Sequence, residues 1–561
     1  MRVTPNRTRV GSSTRAAGAA AAAGAAAAAA RRSPGAALLV ALGIVSLIVT
    51  LAQAHADIHQ FYRDADTVVA WVLPQLASHR PPGTIIDLGN HSYYEAWWFA
   101  RATVGLPDHR LLWELAPFIA YFAGVGAVAW TALTALGRRA ALYTLVALLV
   151  IGEGLRQVVF EPSARVQLVL HMGVLCIGLL VVWQGLRTGR ATWRWLVVLA
   201  LALVAFTAPA ATDQLMMIDG VLPFVLAPLI WWWRRSTRDA GILALFAAAV
   251  GLGSLLGEVL LTRIMIDAGV SASLGTHSFG FLPAGTWQAA VANTATAWVS
   301  LADGNFFSLP VNKADLLTFT LGALALLALA AVLVKLLVLA RSWWIGRVAS
   351  PASDEEGTRE LFIAFWGTAL ILTLGSFALT LAESGGVARY LLGAWVAAAA
   401  LLGSIPVTRQ GRVAVTICLA VMSGVIIRDN ITFGIPPPAA AYPEPTIRQI
   451  ERFVTAHDAT TGFADYFYSA SVTWATDFRV KVYPVWPCDA GRPGLLCQRD
   501  FASDSAWFIP RRHTRSFLIT GAPTSITAVP RSFGSPIATA SFGQFTVSIY
   551  NHDVAADLQE F

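Results

Sequence analysis

The sequence predicts a predominantly α, polytopic membrane helical bundle that ends in a small external α/β or α+β domain. Three observations carry this. Apolar runs long enough to cross a hydrocarbon core as helix recur from Ala36 to Ile427. Arginines gather in every other polar break between them. Period-two alternation, the mark of strands, sets in only after residue 428.

The runs lie near 36–55, 115–136, 139–157, 166–186, 194–212, 215–233, 240–266, 316–340, 360–382, 389–407 and 411–427, which predicts about 11 transmembrane helices. Helices are the form expected, because open strands in lipid leave backbone groups unpaired and barrel strands are shorter and alternating. The N-terminal tail carries Arg2, Arg7, Arg9, Arg15, Arg31 and Arg32. Alternate breaks carry Arg138/Arg139, Arg187/Arg190/Arg194, Arg234/Arg235/Arg238, Arg341/Arg347/Arg359 and Arg409/Arg412. The positive-inside rule makes these cytoplasmic, so the N-terminus is inside and, with an odd number of spans, the C-terminal domain outside. The excess of 40 Lys+Arg over 33 Asp+Glu is largely these loops and calls for no nucleic-acid partner. The sequence predicts a disordered basic tail (1–33), a transmembrane region (34–427) with long external loops at 55–114 and 268–314, and an external domain (428–561). Ala52-Gln53-Ala54 resembles a signal-peptidase site, but the run before it is longer than a signal-peptide core, and the first span is read as retained.

Cys176 and Cys418 fall within spans and read as small packing residues. Cys488 and Cys497 lie in the external segment, where an oxidising compartment favours a disulfide; a zinc pair needs further ligands that the spacing does not supply. The first external loop holds Asp57, Asp64 and Asp66, a stretch at helical spacing (Val68 to Leu76), and the aromatic segment His91–Phe99, suited to the membrane interface. The acids, aromatics and long loops are gathered outside, while few ionisable residues lie deep in spans. Lys335 can snorkel, leaving Glu258 and Asp219 as the exceptions. No internal repeat supports a carrier. There is no G-x-x-x-x-G-K-[ST], H-E-x-x-H, paired C-x-x-C or well-placed G-x-S-x-G, so a nucleotide-driven pump and a membrane metalloprotease lack sequence support.

Asp64-Ala-Asp66-Thr-Val-Val-Ala-Trp, Gly386-Val-Ala-Arg389-Tyr390-Leu and Gly462-Phe-Ala-Asp465-Tyr466, set in this architecture, resemble the GT-C class of integral membrane glycosyltransferases. The resemblance implies sugar transfer from a polyprenyl-phosphate donor to a cell-envelope glycan, lipid or protein at the outer face of the cell membrane. A carboxylate in a partly desolvated cavity can take the acceptor hydroxyl's proton, and an arginine fork can stabilise the departing phosphate. Asp66 is the first choice of base, followed by Asp64 and Asp57; the class's Asp-Glu pair has no counterpart in the first loop. Arg389 is the first choice for the donor phosphate, followed by Arg165 and Arg156. Tyr390, Trp97, Trp98 and Asp213 are candidates for substrate contact.

Each role has a structural rival. Acids just outside a span commonly cap helices. Arg389 can pair with Glu383 or meet headgroups. Trp97 and Trp98 can form an interfacial belt. Asp213 can cap a turn, and His171 on an apolar face reads as packed against a neighbouring helix. No metal site is assigned; the external acids could hold a divalent ion through oxygen ligands, but no spacing demands it. In the tail, residues 446–457 read as an amphipathic helix, and 479–484, 516–520 and 544–550 as strands. The function expected is a GT-C-like glycosyltransferase. The alternatives are a non-catalytic envelope-assembly scaffold or binding protein, and a transporter or flippase of a lipid-linked or small polar substrate.

Overall fold

The structure is a computed structural model. It describes residues 34–60, 65–76, 81, 83–89, 93–152, 155, 165–271, 281–304, 316–345, 353–381, 388–405, 408–432, 444–488, 494–499, 502–521, 526 and 530–560. The helical part comprises α1 (Pro34–Gln60), α2 (Ala65–Leu76), α3 (Tyr93–Thr103), α4 (His109–Leu136), α5 (Arg138–Leu149), α6 (Arg165–Arg187) and α7 (Trp193–Thr207). It continues with α8 (Gln214–Arg235), α9 (Arg238–Asp267), α10 (Trp287–Leu301), α11 (Leu316–Ile345), α12 (Asp354–Ser376), α13 (Leu392–Leu401) and α14 (Arg409–Thr432).

Among the described residues, 8 helices are long and apolar enough to cross a membrane, against the 11 expected. The difference lies in three runs. The run at 139–157 is the short helix α5, and the run at 194–212 is α7, 15 residues long. The run at 389–407 is broken by 3₁₀ turns at Ala388–Leu391 and Leu402–Ser404 around α13. Every residue of α13 is buried, so its apolar character reflects a position at the centre of the bundle, where hydropathy alone cannot separate packed helix from lipid-facing span. The region 268–314, expected as an external loop, contributes α10, whose Ala290, Ala297, Trp298 and Leu301 enter the bundle core.

Close approach of α4 and α6 depends on small residues. A Cβ on Gly124 would stand 2.6 Å from the Leu170 amide nitrogen, and one on Gly173 would stand 2.7 Å from the Ala127 Cβ. A π turn at Met217–Val221 interrupts α8 just before Pro223, where the ring denies the regular helix a donor. The basic breaks at the end of α8 and the start of α9 face the start of α12. There Arg235, 3% exposed, donates to both carboxylate oxygens of Glu360 and to Glu356, and Trp231 adds its indole N–H at 3.0 Å. These bonds satisfy charges that would be costly if left unpaired.

The C-terminal part comprises α15 (Glu444–Ala456), α16 (Tyr466–Ala475) and a mixed sheet in the order β5-β4-β3-β7-β9-β8. Its strands are β3 (Thr461–Asp465), β4 (Lys481–Pro487), β5 (Leu496–Gln498), β7 (Ser516–Thr520), β8 (Ala538–Phe542) and β9 (Phe545–Tyr550). Alternation sorts the two faces. Phe517, Ile519, Val547 and Ile549 point into a core closed by Ile447, Ile450 and Val454 of α15. Phe463, Tyr483, Leu518 and Tyr550 point into a second core shared with α2 and α3. A small sheet of β1 (Ile86–Asp87), β2 (Val270–Ser271) and β6 (Ser503–Asp504) ties both loop regions to this domain. Cys488 and Cys497 are joined by a disulfide across the β4–β5 connection.

Candidate active site

Helix α3 lies where bundle and domain meet. Its Tyr94, Ala96, Trp97 and Ala100 are buried in the shared core. Glu95 points the other way, into a small cavity lined also by Leu168, His171, Pro209, Thr212 and Asp213. The His171 Nε2 stands 3.7 Å from the Glu95 carboxylate and 3.2 Å from the Phe206 carbonyl, and Nδ1 stands 2.8 Å from the Gln167 carbonyl. Burial pushes the Glu95 carboxyl above its ordinary range, and the imidazole opposite pulls it partly back. Asp213 caps the turn beyond it, accepting from the Leu215 amide at 2.9 Å, while its residue remains part of the cavity wall.

A second pair of acids flanks the neighbouring phenol. Asp87 accepts from the Gly89 amide and the Ser271 hydroxyl, and Glu258 accepts from the Thr262 hydroxyl. Burial raises the Tyr94 pKa, and the charges of Asp87 and Glu258 raise it further, so the hydroxyl keeps its proton. Among the described residues no group of three or more His, Cys, Asp or Glu is placed to hold a metal ion.

Arg389 and Tyr390 stand on the 3₁₀ turn that leads into α13, both half-buried, with the guanidinium 5.6 Å from the Tyr390 ring centroid. Further along the same segment Trp395 meets Trp298 of α10, ring centroids 5.2 Å apart, and the Trp298 indole donates to the Ala325 carbonyl of α11. These two rings help line an apolar cavity of about 390 Å³ between α5, α10, α11, α13 and α14. On α14 its lining runs from Gly411 to Ile426, about 22 Å of helix at 1.5 Å per residue, most of a hydrocarbon core. The slot exists because α11 packs loosely: few of its residues, among them Leu321, Ala325 and Val332, are buried.

The residues singled out from sequence are therefore dispersed in part. Asp57, read as the start of the first loop, lies on α1, which continues past the apolar run to Gln60. Asp66 lies in the first turn of α2, and Arg165 opens α6. The side chains of these three, and Asp64 and Arg156 altogether, fall outside the described residues. Trp97 is 6% exposed in the shared core and presents no open ring face, whereas Trp98 is 38% exposed. Sequence reasoning did not single out Glu95 or assemble the slot. Glu95 was legible only as one acid in an aromatic helix, and its partners come from α6 and the turn before α8. The deep acid Asp219 is fully buried; it accepts from the Thr373 hydroxyl at 2.6 Å and packs against Gly393 of α13.

No family model matches the chain, and no curated protein matches it. Similar solved structures include the archaeal oligosaccharyltransferase AglB from Archaeoglobus fulgidus in complex with an inhibitory peptide and a dolichol-phosphate. The identity is 12% and the TM-score 0.43, over 81% of this chain and 64% of that one, so the chain spans less than two thirds of that protein. A second is the Archaeoglobus fulgidus oligosaccharyltransferase in complex with Zn and sulfate, with 10% identity and a TM-score of 0.44 over 92% of this chain and 73% of that one. These neighbours are GT-C-type membrane glycosyltransferases, the class that the sequence motifs resemble. At this depth the likeness assigns no residue a role.

Proposed function

We propose that the chain is a membrane glycosyltransferase that moves a sugar from a polyprenyl-phosphate donor to a cell-envelope acceptor at the outer face. The observation that carries this reading is the apolar slot, lined by Trp395 on the segment that begins with the Arg389 turn. A long isoprenoid chain needs a continuous apolar bed through the leaflet, and its phosphate needs a cation near the head of that bed. The slot supports the first, and Arg389, six residues before Trp395 on the same segment, is the residue we assign to the second. Arg165 and Arg156 are the next candidates for the phosphate.

Asp66 remains the first choice of base, with Asp64 and Asp57 after it, and Glu95 joins them because it faces His171 across a small cavity and burial raises its pKa, which makes it a stronger proton acceptor than an ordinary carboxylate. Tyr390, Trp98 and Asp213 would contact sugar or acceptor, with Trp97 supporting them from the core. The carrier alternative has the packing of the bundle against it. Between Asp219 and the Arg235–Glu360 pair the described interior is filled by Phe224, Trp231, Phe362 and Trp366, none more than 1% exposed.

The test is transfer from a panel of radiolabelled polyprenyl-phosphate sugars by membranes containing the chain. Incorporation above control membranes supports the reading. Label that stays wholly in the donor, with intact protein and envelope acceptors present, contradicts it.

A further inference from the structure

We propose that a groove on the C-terminal domain, between α15 and the turn leading into β4, binds the phosphate headgroup of an anionic lipid in the adjoining leaflet. The groove is an open cavity of about 630 Å³ lined by Arg448, Glu451, Arg452, Thr455, Ala456 and Arg479. Three guanidiniums share it with one carboxylate. Arg448 and Arg479 both reach Glu451, at 3.1 and 3.0 Å, and the Arg452 Nε donates to the Arg448 carbonyl at 3.1 Å. Glu451 is 12% exposed, while the side chains of Arg448 and Arg479 remain 41% and 60% exposed. The carboxylate therefore orients the arginines without cancelling their charge. The cationic face is turned outward because the opposite face of α15, with Ile447, Ile450 and Val454, is fully buried under the sheet.

Its location selects the occupant. Arg110 stands in the first turn of α4, a helix long and apolar enough to cross a membrane, where Leu111 and Leu115 are exposed. Arg110 pairs with Asp477, and Arg479 follows in the same turn after α16. The groove is thus joined, through Asp477, to the first turn of a helix long and apolar enough to cross a membrane, which puts headgroups of the adjoining leaflet within its proposed reach. Arginine is suited to phosphate through its planar fork, and clusters of basic side chains are attracted to anionic headgroups. The proposal is independent of sugar transfer, and its test uses no sugar donor.

The experiment uses the full chain, purified and delipidated in a neutral detergent, and titrated with phosphatidylglycerol, phosphatidylcholine or inorganic phosphate while retained lipid is counted by native mass spectrometry. Phosphatidylglycerol is expected to bind about tenfold more tightly than phosphatidylcholine, and about tenfold more weakly to the Arg452→Gln/Arg479→Gln variant. Lysines at both positions should restore most of the binding. Arg452→Gln alone, which breaks no ion pair with Glu451, covers the case in which the double variant fails to fold, and a several-fold weakening is expected there too. Three results would overturn the proposal: unchanged binding in the glutamine variants, equal affinity for both lipids, or displacement of phosphatidylglycerol by an equal concentration of inorganic phosphate.

Discussion

The guanidinium of Arg110 lies 4.4 Å from the centroid of the Trp474 ring and pairs with Asp477, so the first turn of a helix long and apolar enough to cross a membrane is fastened to the C-terminal domain. Trp71 and Trp113 complete the joint, with ring centroids 5.3 and 6.0 Å from Trp474. The ion pair is well exposed and contributes little by itself; the stacked cation and the buried indole contribute more.

Truncating this joint should loosen domain and bundle together. Trp474→Ala is expected to cost about 3–5 kcal/mol, and Arg110→Gln about 1 kcal/mol. Hydrogen exchange should show faster opening of α2, α3 and α16 in both variants, with α13 unchanged.

Glu95 makes stability depend on pH. Its folded pKa lies above the ordinary value of 4.5, chiefly through burial, so between 4.5 and the raised value the folded chain holds a proton that the unfolded chain has lost. Stability therefore falls as pH rises through that window, and the whole penalty is present above it. Melting in detergent from about pH 4 to about pH 8 should show this slope in the wild type and not in Glu95→Gln. The variant should be the more stable protein at neutral pH and the slower enzyme.

The slot is tested by filling it. Ala328 lines the cavity on α11, and Ala328→Phe places a ring where the isoprenoid chain is proposed to lie. The expected effect is a rise in donor KM of about tenfold with kcat little changed, as for lost uniform binding. An unchanged KM in a folded variant would remove the slot from the donor site.

The packing of Asp219 makes Gly393 intolerant of a side chain. A Cβ there would stand 2.2 Å from a carboxylate oxygen of Asp219. Gly393→Ala should destabilise by about 1–3 kcal/mol, and a concurrent Asp219→Ala should recover part of that loss in thermal melts.

The Cys488–Cys497 bridge closes a short loop, a sequence separation of 9. Replacing both cysteines by serine should cost about 2–3 kcal/mol of domain stability. In intact cells a thiol-reactive polymer should modify these cysteines only after reductant is added, as an external, oxidised pair requires.

Much of this architecture was legible in the sequence. The strands expected at 479–484, 516–520 and 544–550 correspond to β4, β7 and β9, because period-two alternation directly records which face is buried. Long spans such as α6 and α9 followed from length and hydropathy. The broken segment around α13 did not, since a helix enclosed by protein and a helix facing lipid are equally apolar. Trp97 and Trp98 show a different limit. Neighbours on a helix point about 100° apart, so one enters the core and the other faces out, and only the position of the domain decides which. Glu95 was hidden for the same reason: an acid's chemistry comes from what surrounds it, and His171 reaches it from a distant stretch of chain. The slot has no sequence signature, being a gap left where α11 stands off the bundle.

Sugar transfer from radiolabelled polyprenyl phosphates, compared between wild type, Asp64→Asn/Asp66→Asn and Arg389→Gln in membranes holding equal amounts of folded protein, decides whether this chain is a glycosyltransferase. Transfer is expected from the wild type, with its loss in the double variant and a fall of at least about a hundredfold in Arg389→Gln. Undiminished transfer in all the variants would contradict the assigned site, and no transfer by the wild type from any donor, with acceptor present, would contradict the assigned function.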